Sequence, residues 1–289
     1  MRVLVADFGG LRVKWGIFER GKLVRRGIID SVSVRDPEKF LGFLRGLEFD
    51  RFVLGFAGLV KDGVVLHAPN HPRWEGYDLK RIFGEYDVVV ENDANLFTLG
   101  EAIYGAGRGK KFVLGITLGT GVGGGLVIDG QIIRGAGGLG MEIGHITIGI
   151  DGPPCNCGSY GCAEAYLGGI YFVERAARLF VRHGKSAPKS MRQLEEFARM
   201  GVSLARNLWR EYGKYLGVLV ASLINVFDPE IIVLGGGIAA AYDLFKDDMY
   251  EEIKRRRVAY VLDTPVVPSE LGTDAALWGG YHLVAPRPQ

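Results

Sequence analysis

Residues 112–128 read FVLGITLGTGVGGGLVI, in which a glycine-rich turn joins two apolar, β-branched runs. The pair Asp129-Gly130 follows, and Asp-Gly between apolar runs is a strong hairpin signal. The stretch therefore predicts a strand, a glycine turn, a second strand, a tight hairpin and a third strand. RVLVADFGG at 2–10 opens the same order of patterns about 110 residues earlier. We interpret the two stretches as copies of one structural unit.

The remaining patterns alternate between strands and helices. The first copy makes its hairpin at Arg20-Gly21, and a third glycine cluster, EIIVLGGG, ends an apolar run at 230–237. Apolar runs also predict strands at 49–58 and 86–93, and helical spacing predicts helices at 94–105, across 190–227 and at 247–257. The alternation indicates an α/β fold, and the glycine- and lysine-rich residues 105–111 predict a domain boundary.

Composition limits the class of protein. The 289 residues are 48% apolar, enough for a sizeable core, and the formal net charge of +2 favours neither nucleic acid nor an anionic membrane as partner. The apolar start is too short for a signal peptide, and no apolar run reaches the length of a membrane span. We therefore expect a soluble, cytoplasmic protein that binds neither membranes nor nucleic acids.

Three glycine turns that follow predicted strands suggest a nucleotide site. Glycine lets backbone N–H groups approach phosphate oxygens closely, and three such turns suit a nucleoside triphosphate held between two domains. None of them has the spacing of a Walker loop. Asp7, at the edge of the first turn, is a candidate to hold Mg²⁺, directly or through water. Its alternative role is a hydrogen bond within the turn.

Carboxylates at two places suggest a site for hydroxyl groups. Asp93 ends a predicted strand and begins a predicted helix, so it is either the helix N-cap or a functional group in the crevice where α/β proteins bind ligands. Glu142 and His145 are three residues apart and share one face of a helical turn. If a metal fixes the cysteine loop to His145, Glu142 and Glu164 converge and can accept vicinal hydroxyls. The alternative is two solvated surface glutamates.

All three cysteines of the chain, Cys155, Cys157 and Cys162, lie within eight residues, and His145 precedes the first by ten positions. Three thiolates and one imidazole complete a tetrahedral Zn²⁺ shell, and a complete shell is structural rather than catalytic. We interpret the segment as a zinc loop; a redox trio is the alternative. The other histidines are interpreted as ordinary surface or turn residues: His67, His71, His183 and His282.

Together these motifs resemble the ROK family (repressors, open reading frames and sugar kinases), and within it the ATP-dependent glucokinases and hexokinases. The resemblance runs nearly end to end, through DFGGLRVKWGIF, ENDANLFTLGEAIYGAG, LGTGVGGGLVIDGQIIRGAGGLGMEIGHI, CNCGSYGCAEAY and NVFDPEIIVLGGGIA. The EIGH element followed by the CxCGxxGCxE loop is highly specific to that family. The glycine motifs alone also fit other actin-like ATPases.

The resemblance implies an α/β fold of two actin-like (ribonuclease H-like) ATPase domains with an interdomain cleft. The N-terminal domain would comprise 1–107, joined by a C-terminal helix within 275–289, and the C-terminal domain with the zinc loop would comprise 108–274. The implied activity is that of a kinase of carbohydrate metabolism and glycolysis. It would use ATP and Mg²⁺ to phosphorylate the 6-hydroxyl of glucose or a related hexose, with structural Zn²⁺, as a homodimer or homotetramer.

The resemblance also assigns roles to single residues. Asp93 matches the general base, and one ring nitrogen of His145 would bind zinc while the other meets a sugar hydroxyl. The matching sugar-binding positions are Gly58, Asn92, Asp93, Glu142, His145 and Glu164, and the zinc ligands are His145, Cys155, Cys157 and Cys162. The nucleotide positions are Asp7, Gly9 and Gly10 in the first phosphate loop, Thr120 and Gly121 in the second, and Gly235, Gly236 and Gly237 beside the adenosine.

Two departures from the family pattern bear on these roles. The first phosphate loop reads GGLR at 9–12 instead of GGTK, so Leu11 offers no hydroxyl to a phosphate, and Ala57 replaces a common proline. The missing hydroxyl at Leu11 favours a non-catalytic sugar sensor. The presence of Asp93 argues against a sensor. A sugar-responsive repressor is a further alternative, but a phosphate loop that begins at Asp7 leaves no room for an N-terminal helix-turn-helix. N-acetylmannosamine, fructose and allose are alternative acceptors, and the preferred hexose, the donor beyond ATP and the subunit number stay open.

Overall fold

A computed structural model describes residues 1–258 and 263–285. Its strands are β1 (Arg2–Phe8), β2 (Arg12–Glu19), β3 (Lys22–Asp30), β4 (Arg51–Phe56), β5 (Leu59–Lys61), β6 (Val64–His67), β7 (Asp87–Asn92), β8 (Phe112–Leu118), β9 (Val122–Ile128), β10 (Gln131–Ile132), β11 (Ile231–Gly235) and β12 (Val266–Pro268). Its helices are α1 (Pro37–Leu44), α2 (Leu79–Ile82), α3 (Asp93–Tyr104), α4 (Ala163–Leu167), α5 (Gly169–Arg182), α6 (Met191–Arg199), α7 (Ser203–Phe227), α8 (Tyr242–Arg256) and α9 (Ala275–Val284).

The first sheet has the strand order β3-β2-β1-β4-β7. β1, β2 and β3 are antiparallel, whereas β4 runs parallel to β1 and β7 runs parallel to β4. The predicted hairpin between β2 and β3 is confirmed, because Arg20 and Gly21 both have left-handed φ, 50° and 79°. Since the carboxyl ends of parallel strands share one edge of a sheet, Asp7, Gly58 and Asn92 lie at or just beyond the same edge.

The second sheet repeats this plan, with the order β10-β9-β8-β11-β12. Its hairpin at Asp129 and Gly130 has φ values of 49° and 73°, close to those of the first hairpin. β8 ends just before the glycine turn at 119–121, and β11 ends at Gly235. The duplication predicted from the sequence is therefore confirmed, and the predicted second phosphate loop follows β8 as the predicted first phosphate loop follows β1.

The chain divides into two compact units. The first comprises Met1–Gly115, Gly125–Met141 and Glu270–Gln289, and the second comprises Ile116–Gly124 and Glu142–Ser269. The domain boundaries predicted at 107/108 and 274/275 stay a prediction. Residues 286–289 of the predicted C-terminal segment lie outside the described residues.

The core of the first unit lies on both faces of the first sheet. One face is covered by an aromatic cluster, all fully buried: Phe8, Phe40, Phe52, Phe56, Trp74 and Phe83. On the other face, α9 packs against β1, β4 and α3. Gly100 and Gly279 let α3 and α9 approach, because a Cβ at these positions would lie 2.0 Å from the Ala275 oxygen and 1.9 Å from the Leu96 oxygen.

In the second unit, α7 is the central helix and packs along α8. The helical pattern of 190–227 is in fact two helices, because Gly201, with φ +91°, separates α6 from α7. On α8 the predicted ion pairs Glu251–Arg255 and Glu252–Arg256 are present, at 3.9 Å and 2.5 Å. Among the described residues, every helix is too short or too polar to cross a membrane.

Candidate active site and metal centre

The strand β7 and the helix α3 meet at Asn92 and Asp93. The Asn92 side-chain oxygen accepts the backbone N–H groups of Ala94 at 2.9 Å and Asn95 at 3.1 Å, so Asn92 is the N-cap of α3. The prediction of Asp93 as the cap was therefore wrong by one residue, because the extended backbone ends at Asn92. Asp93 is the first helical residue, and one of its oxygens accepts the Ala94 N–H at 2.9 Å.

The Asp93 carboxyl is poised near neutral pH. Burial and, after it, the negative charge of Asp7 raise the pKa of Asp93 to about 7, although the Ala94 N–H and the Lys14 ammonium oppose the rise. A carboxyl group with this pKa is ionised in part of the molecules at pH 7 and still accepts a proton readily. General bases in enzymes have this property, and strongly perturbed carboxyl groups concentrate at functional sites.

The first phosphate loop leaves β1 through Asp7, which is buried. Lys14 lies directly opposite Asp7 in the β1–β2 pairing, and its Nζ donates to an Asp7 oxygen at 2.9 Å. Beyond the strand, the loop closes with a hydrogen bond from the Gly9 N–H to the Arg12 oxygen at 3.1 Å. Leu11 is 73% exposed at its tip.

His71 supports this loop, which the sequence did not reveal. It is buried against Phe8 and Phe56, and its Nε2 lies 3.0 Å from the Gly9 carbonyl oxygen. Burial lowers the pKa of His71, so a neutral ring with Nε2–H donating to Gly9 fits this environment. The interpretation of His71 as an ordinary surface or turn residue was wrong, since a lone histidine shows no signal for a packing partner far along the chain.

An ion pair between the buried Glu91 and the partly exposed Arg134 holds the end of β7 and was also missed. Both Nε and Nη2 of Arg134 contact one Glu91 oxygen, at 2.7 Å and 2.6 Å. The other Glu91 oxygen accepts the Asn95 side-chain N–H at 2.9 Å and the Asn92 backbone N–H at 3.0 Å. The Glu91 carboxylate thus fixes the residues on both sides of Asp93. Glu91 stands in the quoted ENDAN motif, but nothing in the sequence pairs it with Arg134.

In the second unit, Glu142, His145 and Glu164 form an electrostatically coupled group. Glu142 and His145 flank one 3₁₀ turn, closed by a hydrogen bond from the His145 N–H to the Glu142 oxygen at 3.0 Å. Desolvation raises the pKa of Glu142, His145 opposes this rise and the Glu164 carboxylate adds to it. The predicted convergence of the two carboxylates is consistent with this coupling.

Glu164 also contacts the second phosphate loop. One of its oxygens accepts the Val122 N–H at 2.9 Å, and a Cβ at Gly121 would lie 2.2 Å from the same oxygen. Gly121 is therefore required for the approach of Glu164 to the loop.

Gly236, in the turn after β11, has φ +82°. Its α-carbon lies so close to the end of β8 that a Cβ would meet the Leu118 oxygen at 2.2 Å, so this position requires glycine.

His145, Cys155, Cys157 and Cys162 have the arrangement of a tetrahedral metal site. Their ligand atoms all lie within 4.8 Å of one another. The Sγ atoms of Cys157 and Cys162 are 3.7 Å apart, and Cys155 Sγ is 3.7 Å from His145 Nδ1. Zn–S bonds of about 2.3 Å require tetrahedral edges of about 3.8 Å, so the donor set fits Zn²⁺. Burial raises the pKa of the Cys162 thiol to about 12, so ionising it needs a bound cation.

Backbone contacts join the zinc loop to the carboxylates. Ile148 N–H donates to Gly161 at 2.8 Å and Ala163 N–H donates to Ile146 at 2.8 Å, so the segment after His145 pairs with the segment that leads into α4. His145 faces Cys155 Sγ with its Nδ1 atom, so Nε2 is the ring nitrogen farther from Cys155. The loop that carries the metal ligands therefore also fixes Glu164, near the start of α4.

Comparisons with known proteins agree with this arrangement. The family model described as ROK family matches residues 43–287. The chain belongs to the ROK family. A glucokinase of Thermotoga maritima is 30% identical, with 99% of this chain and 98% of that protein covered. A glucokinase of Streptomyces coelicolor is 32% identical, with 96% and 95% covered.

A solved structure extends the likeness to three dimensions. The ROK family glucokinase of Streptomyces griseus, in complex with glucose and AMPPNP, superimposes with a TM-score of 0.84 at 30% identity, over 98% of this chain and 99% of that one. The predicted fold class, α/β with two actin-like ATPase domains, is confirmed, as is the predicted family.

Proposed function

We propose that this protein is an ATP-dependent glucokinase that transfers the γ-phosphoryl group of ATP to the 6-hydroxyl of glucose. Membership of the ROK family and the likeness to glucokinases over nearly the whole chain support a sugar kinase. The observation that carries the proposal is the buried Asp93 carboxyl, whose pKa of about 7 suits a base that works at neutral pH.

Asp93 is the general base in this proposal. The sugar 6-oxygen attacks the γ-phosphorus, its proton passes to the Asp93 carboxylate, and the bond from the γ-phosphorus to the bridging oxygen breaks. The electron pair of that bond remains on ADP. Phosphoryl transfer needs in-line positioning and electrostatic stabilisation more than covalent chemistry from the protein, so one base and a set of binding groups suffice.

The other sugar hydroxyls meet polar side chains and one glycine of the chain. Asn92 keeps its side-chain NH₂ for a hydroxyl oxygen, because only its oxygen caps α3. Glu142 and Glu164 accept hydroxyl protons, and Nε2 of His145 provides a further hydrogen bond. Gly58 is a further sugar-binding position; a Cβ there would lie 2.8 Å from the His67 oxygen, so the chain's own packing requires glycine at this place.

The nucleotide binds to the glycine turns. Gly9 and Gly10 follow Asp7 at the end of β1, Thr120 and Gly121 follow β8, and Gly235, Gly236 and Gly237 follow β11. Their backbone N–H groups donate to phosphate oxygens, and the third turn lies beside the adenosine. Asp7 is the residue that would hold Mg²⁺, which neutralises phosphate charge when bound.

Zn²⁺ has a structural role in this proposal. His145 and the three cysteines would hold it, and the loop they fix presents Glu164 and His145 to the sugar. We further propose that the enzyme acts in glycolysis in the cytoplasm and assembles as a homodimer or homotetramer.

ADP release across a panel of hexoses tests the proposal. We expect turnover with glucose to exceed turnover with fructose, allose and N-acetylmannosamine at equal concentrations. Faster turnover with one of the other sugars would reassign the substrate while leaving a sugar kinase. Glucose binding without turnover of any sugar would favour the sugar sensor, which the missing hydroxyl at Leu11 supports.

A further inference from the structure

Lys14 contacts Asp7 directly and acts electrostatically on Asp93, the proposed general base. Its Nζ donates to Asp7 at 2.9 Å, and its positive charge also acts on Asp93 and on Asp274. The Lys14 side chain is 33% exposed whereas the Asp7 side chain is 8% exposed, so the ammonium lies on the open side of the pair. An ammonium has three N–H groups, and the bond to Asp7 uses one of them.

A second positive charge, beside the Mg²⁺ that Asp7 would hold, would favour the proposed reaction at this place. The transferring phosphoryl group carries negative charge and must approach Asp93, while the nucleotide extends from the loop that follows Asp7. Two carboxylates around an anionic group repel it, and kinases offset such repulsion with fixed positive groups. The loop itself offers less help than usual for a phosphate loop, because the side chain after Gly10 is the apolar Leu11.

Resting on the proposed kinase function, we propose that Lys14 is a catalytic residue whose ammonium binds the γ-phosphoryl group of ATP during transfer. Asp7 holds the ammonium in position and keeps it protonated, and the two remaining N–H groups donate to γ-phosphoryl oxygens. Lys14 stays charged throughout, while the sugar proton goes to Asp93 and the leaving electron pair goes to ADP. The charge of Lys14 also offsets the repulsion between Asp93 and Asp7.

The same strand pair offers a matched control. At its other end Arg2 lies directly opposite Glu19, and its guanidinium forms ion pairs with Glu19 at 3.7 Å and with Glu48 at 3.1 Å. Arg2→Met therefore removes a cross-strand ion pair from the same two strands, at the edge remote from Asp7. If the Lys14–Asp7 pair only joined β1 to β2, Lys14→Met and Arg2→Met would affect the enzyme in the same way.

The test compares nucleotides within each folded variant. For Lys14→Met we expect the affinity for AMPPNP to fall about tenfold or more while the affinity for ADP changes less than twofold, measured by calorimetry with glucose present. We expect kcat to fall about 10²-fold with the KM for glucose nearly unchanged, and Lys14→Arg to recover part of the loss. Arg2→Met should retain wild-type values for all three quantities.

The outcomes separate this proposal from the kinase function. Equal loss of affinity for AMPPNP and ADP, or wild-type kcat in Lys14→Met, would show that Lys14 forms only a structural ion pair. The proposed kinase function would not be affected by that result. Because the AMPPNP-to-ADP ratio is internal to one protein sample, partial unfolding of the variant does not mimic the expected result. Failure of the wild type to phosphorylate any sugar would instead remove the kinase function.

Discussion

The Asp93 carboxyl group has two neighbours with opposite effects on its charge. Asp7 stabilises the protonated form and Lys14 stabilises the ionised form, but burial is the largest effect and favours protonation. In the proposed reaction Asp93 must be ionised before it can accept a proton from the sugar, and burial disfavours this ionised form. The same environment makes the ionised carboxylate a stronger base than a solvent-exposed aspartate.

The pH dependence of turnover follows from this pKa. Because the base must be ionised, kcat/KM for glucose should fall about tenfold per pH unit below pH 7 and level off above it. A pH profile of kcat/KM from about 5.5 to 9, with glucose below its KM and ATP saturating, measures the limb. His71→Gln provides the control, since His71 is an imidazole that contacts the Gly9 loop and has its pKa lowered by burial. If the acid limb of the profile disappears in His71→Gln, the limb reports the titration of His71 and not that of Asp93.

The Glu91–Arg134 pair should matter for stability as well as for activity. Arg134→Met leaves the Glu91 carboxylate buried without its cation, and we expect a loss of about 2 kcal/mol in the free energy of unfolding. This is below the value for a fully buried pair because Arg134 is 43% exposed. Chemical denaturation measures the loss, with Arg178→Met as control.

That control breaks an exposed pair, Arg178–Glu174, in which the side chains are 61% and 62% exposed. We expect it to cost less than about 0.5 kcal/mol. A similar loss in the free energy of unfolding for the two variants would contradict a stabilising effect of Arg134 on the buried Glu91.

Among whole elements, the contact between α3 and α9 depends on glycine. Gly100→Ala would place a Cβ 2.0 Å from the Ala275 oxygen, and a backbone atom yields less readily than a flexible side chain. We expect a loss of about 3 kcal/mol in the free energy of unfolding. Gly42→Ala in α1 meets nothing within 4 Å and should instead gain about 0.5–1 kcal/mol. Equal effects in the two variants would contradict the close packing of α3 on α9.

The zinc loop is the second element whose role can be isolated. Purified protein should contain one zinc per chain by elemental analysis. Cys157→Ser should lose the metal, lower the unfolding midpoint by about 10 °C or more and raise the KM for glucose, because the loop fixes Glu164 and His145. Ser159→Ala, an exposed neighbour in the same loop, should change none of these. Folded, zinc-free wild-type protein would contradict the structural role.

At the level of the whole molecule, local patterns predicted most of the fold. The strands predicted at 49–58 and 86–93 correspond to β4 and β7, and the helix predicted at 94–105 corresponds to α3. The hairpins were predictable from Arg20-Gly21 and Asp129-Gly130, because both residues of each pair adopt the left-handed φ that a tight hairpin turn requires. The break at Gly201 was missed because the apolar spacing continues across it, and one positive φ leaves no trace in that spacing.

The site was predictable only where its chemistry is local in sequence. The cysteine cluster could be located because its spacing carries the signal, whereas Asn92 and Asp93 were singled out only because they stand in a motif that resembles the family's. Lys14, His71 and Arg134 could not, because each acts through a partner that the fold brings near. A basic or imidazole side chain in a strand or loop shows its role only once its register and burial are known.

The most direct test of the central claim is the product of ATP and glucose with the wild type and with Asp93→Asn. Phosphorus NMR of the product and ADP release together give the phosphorylated oxygen and the rate. We predict phosphate on the 6-oxygen, one ADP per product, and a kcat lowered about 10²–10⁴-fold in Asp93→Asn, with no loss in its unfolding midpoint. Near wild-type turnover in Asp93→Asn, or phosphate on another oxygen, would contradict the role of Asp93 as the base for the 6-hydroxyl.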